Sequence, residues 1–421
     1  MKIVRSLSES FSPPASEPLN PPLPTRLVEL RGGIGAVPGV TLAGVHAGIK
    51  KRKPDLALVV FENEQNAVSV ITTNEIKAAP ILVSEEHLEA SGTRMRALVC
   101  NSGCANACTG ERGERDSRAT ARQTAALLGL DATQIVVAST GVIGVYLPMD
   151  RVAKGLERAA KDLEDGMEAA YDAAEAIMTT DNEPKLAASA FYVGDKRYVV
   201  GGIAKGSGMI APNLATMLAF IATNAPMSRE ALGRELREAV DGSFNMISVD
   251  GDMSTNDAVY VFGPPGEGHA PPGFSEALHA VTHELAYAMV RDGEGATKTL
   301  ELTVSGATNT KQARTVARAV VNSNLVKTAL HGEDPNWGRI VSAAGAVGAG
   351  IDPEAWSLYV NEKLWVDRGA IEVLSEAEAH AELEHKAVAV RLDLGIGDVS
   401  ATAWGCDMSR DYVRINASYR T

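Results

Sequence analysis

The chain reads as a mixed α/β protein, layered α+β, and three observations say so. Short apolar segments rich in β-branched residues recur along it, segments of helical periodicity lie between them, and the two kinds do not alternate strictly. Without strict alternation, the class is α+β or layered α/β.

Ordered sequence begins near Leu27. Leu56 to Phe61, Ala67 to Ile71, Ala97 to Asn101 and Ile135 to Ser139 are the first strand candidates. Alternation is clearest where Leu300, Leu302 and Val304, and then Val388, Val390, Leu392 and Leu394, place an apolar residue at every second position. Such a period of two gives each strand one packed face. Arg115 to Leu128 is an amphipathic helix candidate, and Pro148 to Met178 holds two, broken at Asp165-Gly166. Ser228 suits an N-cap, with Glu230 placed favourably toward the positive end of the helix dipole. Gly273 to Arg291 and Thr310 to Leu330 complete the helices, and Gly263 to Gly273 reads as a loop. No long flexible joint follows Leu27, so one compact unit or two intimately packed halves is expected.

Composition excludes several functions. With 421 residues, 45% hydrophobic and 22% charged, the chain has the balance of a soluble globular protein with a sizeable core. A net charge of −13 argues against a nucleic-acid surface, which needs clustered cations. The one basic run, Lys50 to Lys53, reads as a solvated turn before Pro54. No stretch reaches the roughly 20 apolar residues of a membrane helix. The Ser- and Pro-rich residues 1–24 read as a disordered leader, and a cytoplasmic location is expected. Four cysteines make no disulfide framework. Cys100, Cys104 and Cys108 step by four but match no cluster-ligand pattern, so they read as small buried residues, and no metal is expected.

Familiar catalytic signatures are absent, and the eight scattered histidines suggest no triad; His380 and His385 lie in a Glu-rich, exposed stretch. Gly345, Gly348 and Gly350 miss the dinucleotide fingerprint and read as small-residue packing. Three small, polar, glycine-rich segments stand out among apolar neighbours: Ala138 to Gly144, Thr179 to Asp181, and Lys205 to Leu218. Gly141 and its neighbours can present backbone N–H groups to an oxyanion, or simply form a tight turn. Lys205 can anchor a carboxylate, or sit in a surface turn.

The run from Gly202 to Leu218 resembles the cleavage and nucleophile motif of the ornithine acetyltransferases, the bifunctional glutamate N-acetyltransferases of arginine biosynthesis. Further likeness lies in Asn101-Ser102-Gly103, Ala105 to Gly110, Ser139 to Gly144, Met178 to Asp181, Asp250 to Asp257, Arg291 to Lys298, Asn336 to Arg339 and Tyr412 to Asn416. The resemblance implies an α-β-β-α sandwich of the N-terminal-nucleophile type. It implies self-cleavage between Ala215 and Thr216, giving intertwined chains 25–215 and 216–421. Thr216 would be the nucleophile and its freed amine the base. Thr140 and Gly141 would form the oxyanion hole, and Thr179, Lys205, Thr216, Glu294, Asn416 and Thr421 would bind substrate. The implied partners are N-acetylornithine, ornithine and glutamate, in an α2β2 heterotetramer without a bound cofactor. Acetyl-CoA stays open as a second donor. A self-activating aminopeptidase of related fold is the alternative, using the same nucleophile for hydrolysis. Cys104, Asn182 and Arg420 depart from the family pattern.

Overall fold

In the computed structural model, residues 27–210, 217–369 and 371–418 are described. The expected leader, 1–24, lies outside them, as do Ala215, Thr216, Arg420 and Thr421.

Two sheets form. The first holds β1 (Val28–Leu30), β2 (Val40–Val45), β3 (Leu56–Ile71), β4 (Arg94–Cys104), β5 (Ile135–Val142), β6 (Lys185–Val193), β7 (Lys196–Lys205) and β8 (Leu218–Thr223). The chain then gives β9 (Ile247–Ser248) to the second sheet and returns β10 (Ala258–Gly263) to the first. The order in the first is β1-β6-β7-β8-β10-β3-β4-β5, with β2 also on β3. The second adds β11 (Thr299–Ala307), β12 (Ser357–Val360), β13 (Lys363–Asp367), β14 (Ile371–Glu372), β15 (Ala387–Asp393) and β16 (Val399–Cys406). Its order is β14-β13-β12-β15-β11-β16-β9. The mixed α/β class therefore holds.

Strands β8 and β10 are buried along their whole length. Their alternate residues serve two cores: Ala219, Ile221, Val259 and Val261 face one, while Phe220, Ala222, Tyr260 and Phe262 face the other. Continuous apolar runs are what a strand covered on both faces requires. Strands β7 and β8 pair antiparallel, so segments before and after the expected cleavage bond share one sheet.

The two strand candidates between Leu56 and Ile71 prove to be one strand. Its first half pairs with β2 and its second with β10, and its register on β4 shifts between Val60 and Gln65. The polar residues between the halves turn their side chains outward, which does not interrupt a backbone ladder.

Helix α1 (Ala79–Ala90) was not anticipated, and α2 (Gly110–Leu128) starts earlier than Arg115. The expected break separates α3 (Met149–Lys161) from α4 (Gly166–Ile177). Ser228 caps α5 (Arg229–Gly242), accepting from the Ala231 N–H at 3.2 Å. Then comes α6 (Phe274–Arg291). Thr310 to Leu330 is not one helix but α7 (Thr310–Val321) and α8 (Asn324–His331), because Ser323 caps the second by accepting from the Val326 N–H. Serine's affinity for free N–H groups starts a new helix where apolar periodicity alone suggests continuation. Helices α9 (Trp337–Gly345), α10 (Glu376–Leu383) and α11 (Arg410–Asn416) complete the set, none of them anticipated.

Alanine-rich α4 lies close on β2 and β3, α3 also packs on these two strands, and α1 and α2 cover β5. Helix α6 packs on β6 and β7 and also touches β9 and β16 of the other sheet, where α7 packs. One hydrophobic core thus runs from Ala187 to Cys406.

Two minor expectations need correction. Cys100 and Cys104 are buried on a strand, but Cys108 is exposed. Gly345, Gly348 and Gly350 are exposed and so do not serve packing: Gly345 ends α9, and Gly348 and Gly350 have the positive φ of turn glycines. Among the described residues, no helix is long and apolar enough to cross a membrane.

Candidate active site

Strand β5 ends in the first of the three glycine-rich segments. It runs parallel to β4, with Ser102 opposite Thr140 and Gly103 opposite Gly141. Gly141 has φ +130°, and a Cβ there would lie 2.4 Å from the Gly103 carbonyl carbon, so only glycine permits this approach. Side-chain amides brace the edge. Ser139 Oγ donates to Asn101 Oδ1 at 2.6 Å, and Asn101 Nδ2 donates to the Cys104 carbonyl at 2.9 Å. Asn256 Nδ2 donates to the Ser139 and Ala105 carbonyls at 2.8 and 2.7 Å. Thr140 is buried and Gly141 half-buried, at a braced strand end and not in a free turn.

The loop carrying Asn256 also holds both flanks of residues 211–216. Asp250 accepts from the Met209 and Ile210 N–H groups at 2.6 and 2.8 Å, and from the Tyr412 hydroxyl at 3.2 Å. Burial raises the Asp250 pKa against the pull of these N–H donors. Asp257 Oδ1 accepts from the Met217 N–H at 3.0 Å. Asn256 and Asp257 are consecutive, so the Thr140–Gly141 edge and the start of β8 hang on one dipeptide. Ala215 and Thr216 themselves lie outside the described residues.

The second segment docks on the third through a buried carboxylate. Asp181 accepts from the Thr179 N–H at 3.0 Å, the Gly206 N–H at 2.7 Å and Lys185 Nζ at 2.8 Å. Burial works to raise its pKa, but the Lys205 and Lys185 ammoniums and these hydrogen bonds together hold it well below the usual carboxylate range. Lys185 also meets Asp292 at 2.6 Å. The hydroxyls of Thr180 and Ser207 are 2.8 Å apart. Asn182, a departure from the family pattern, bonds Asp292 through its backbone and its side chain.

Lys205 is only 2% exposed, which removes the surface-turn reading. Its ammonium has no hydrogen-bond acceptor among the described residues, although Asp181 acts on it at longer range. Glu294, 6% exposed, sits against Ser207 and Gly208, just beyond Lys205 in the chain. Its N–H donates to the Ser207 carbonyl at 2.7 Å, and a Cβ on Gly208 would fall 2.4 Å from its carboxyl carbon. Asn416 Nδ2 donates to Glu294 Oε2 at 2.7 Å. Thr179, Lys205, Glu294 and Asn416 are thereby brought together. Thr421 lies outside the described residues.

Gly208 therefore makes a test. Gly208→Ala pushes the Glu294 carboxylate off its seat, and the KM for a substrate ammonium should rise about tenfold, the order of one lost charged hydrogen bond. Steady-state kinetics check this; an unchanged KM means that the carboxylate plays no part in recognition.

Sequence reasoning missed Lys50. Lys51, Arg52 and Lys53 are exposed, as a solvated turn requires, but Lys50 is half-buried. Lys50 Nζ donates to the Met178 carbonyl at 3.0 Å, beside Thr179. Nothing local marks it, except that it abuts the apolar Ile49.

The ArgJ family model matches residues 41–421. The arginine biosynthesis bifunctional protein ArgJ of Symbiobacterium thermophilum is 48% identical over 403 residues, covering 93% of this chain and 99% of that protein. Its counterpart in Caldanaerobacter subterraneus is 44% identical over 404 residues, covering 93% and 99%. Among solved structures, an ornithine acetyltransferase from Mycobacterium tuberculosis complexed with ornithine is 44% identical. That match covers 45% of this chain and 100% of that one, with a TM-score of 0.41. With its family model spanning nearly all of the described residues, this chain belongs to the ArgJ family of arginine-biosynthesis acetyltransferases.

Proposed function

We propose that the chain moves an acetyl group from N-acetylornithine to glutamate by way of an ester on Thr216. One observation carries this reading. A buried cation, Lys205, and a buried carboxylate, Glu294, which rests on Ser207 and Gly208, lie within a few residues of one another, and Lys205 pairs with Leu218 just after Thr216. Such a pair suits an amino acid that bears a carboxylate and a side-chain ammonium. The arginine-biosynthesis relatives, 44–48% identical, support the same substrate class.

Threonine's hydroxyl is a weak nucleophile and needs a base beside it. Cleavage between Ala215 and Thr216 supplies one, since a free α-amine has a pKa of about 8. In the first half-reaction Thr216 Oγ attacks the acetyl carbonyl and its proton passes to that amine. Thr140 and Gly141 stabilise the resulting oxyanion, the C–N bond breaks, and ornithine leaves with the proton. Glutamate's amine then attacks the ester and restores the hydroxyl. Chains 25–215 and 216–421 stay together as an α2β2 heterotetramer, and acetyl-CoA is the further donor to assay.

Acetyl transfer from N-acetylornithine with and without glutamate tests this. Ornithine release that continues at full rate without an acceptor would mean hydrolysis, the aminopeptidase-like alternative. Glu294→Gln should lower kcat/KM for N-acetylornithine by about 10- to 100-fold, since a charged hydrogen bond contributes about 1.5–3 kcal/mol. Intact mass should still show cleavage; loss of both together would indicate a folding defect.

A further inference from the structure

We propose that Lys50 is a positioning residue of this site, holding the Thr179 turn against the Thr140–Gly141 edge; the proposal rests on the acetyl-transfer reading. Its loop is fixed first. Asp55, fully buried, accepts from the Ala47, Gly48 and Lys50 N–H groups at 2.6, 3.1 and 2.7 Å. The backbone of Asp55 in turn accepts from the Ser102 N–H at 2.9 Å, one residue before Gly103. Lys50 therefore starts from a point tied to β4.

Its stem then crosses Gly103. A Cβ on Gly103 would meet Lys50 Cγ at 2.9 Å, so the absent side chain makes the channel through which the lysine runs. Gly103 is the register partner of Gly141 and touches it backbone to backbone. Beyond that contact the ammonium reaches the Met178 carbonyl at 3.0 Å, and Met178 is covalently joined to Thr179. The stem thus bears on one functional element and the head holds the other.

The ammonium does this without an ion-pair partner among the described residues. Burial lowers its pKa to about 8; Lys53 adds to that effect, while Asp55, Asp181 and Glu175 oppose it at longer range. A half-buried cation with no contacting counter-ion is costly unless its charge is used. At neutral pH it is mainly protonated. Above about 8 it loses its charge, and its hold on the Met178 carbonyl weakens to that of a neutral donor.

Two variants test the role. Lys50→Met keeps the stem and removes the charged donor; Lys50→Arg keeps a charge that does not titrate. Ornithine binding by calorimetry, KM and kcat for N-acetylornithine, and urea midpoints would be compared for all three proteins on both sides of pH 8. The expected result is that Lys50→Met weakens ornithine binding and raises KM about tenfold, with a smaller change in kcat and an unchanged urea midpoint. Lys50→Arg should recover most of the loss. Wild-type KM should rise above pH 8, and that rise should be absent from both variants. The proposal is overturned if Lys50→Met binds ornithine like the wild type, keeps the wild-type pH dependence, or loses binding only in step with its urea midpoint. Failure of the transfer reading looks different: the wild type would bind ornithine, Lys50→Met would bind it weakly, and neither would pass acetyl to glutamate.

Discussion

Thr216→Ala yields a chain that stays whole and transfers no acetyl group. The flanking anchors do not depend on the lost hydroxyl. Ile210 remains held by Asp250 and Met217 by Asp257, both through backbone N–H groups that the substitution leaves in place. The variant should therefore fold and bind ornithine. Without the hydroxyl there is no nucleophile for either reaction, and without cleavage there is no α-amine to serve as base. The expected loss is at least about 1,000-fold in kcat, in line with removal of a covalent nucleophile elsewhere. Intact mass reports the unsplit chain, and an acetylglutamate assay reports the lost transfer. A variant that splits and turns over would remove Thr216 from its proposed role.

Asp181→Ala is the substitution with the largest expected effect on stability. It takes one carboxylate from beneath Lys205 and Lys185, and it leaves the Thr179 and Gly206 N–H groups without their acceptor. Breaking a buried pair costs about 3–5 kcal/mol, because the abandoned charge stays buried; this says nothing of how the intact pair compares with an apolar one. Lys185 keeps Asp292 at 2.6 Å, so Lys205 bears most of the imbalance. The acid dependence follows in sign. The native pKa of Asp181 is depressed, so its contribution is complete above the unfolded value of about 3.9 and is lost as pH falls toward the native one. Denaturation of both proteins should show a wide gap at neutral pH that narrows below about pH 4. A neutral-pH gap under about 1 kcal/mol would mean that water or neighbours relieve the charge.

Much of the candidate site was legible because it is written in short segments. Thr140-Gly141, Thr179 to Asp181 and Lys205 to Leu218 stand out as small and polar among apolar residues, and family likeness assigned roles within them. Glu294 and Asn416 were named by family likeness alone, in Arg291 to Lys298 and Tyr412 to Asn416, and no small, polar pattern marks them. They lie far from Ser207 and Gly208 in sequence and meet them only in the folded chain. Lys50 was misread for the same reason. A basic run looks uniform in sequence, but the hollow over Gly103 admits only its first member.

By itself, the sequence determined the class, most helix positions, a minority of the strands, the Ser228 cap and the segments of the candidate site. Periodicity and capping act over a few residues, so one segment is enough to show them. Tertiary structure alone decided which charges are buried, that Leu56 to Ile71 is one strand shared by two partners, and that the loop from Asp250 to Asp257 joins the Thr140–Gly141 edge to the start of β8. Burial and hydrogen bonding between remote segments depend on what packs from elsewhere in the chain, and no local pattern records that.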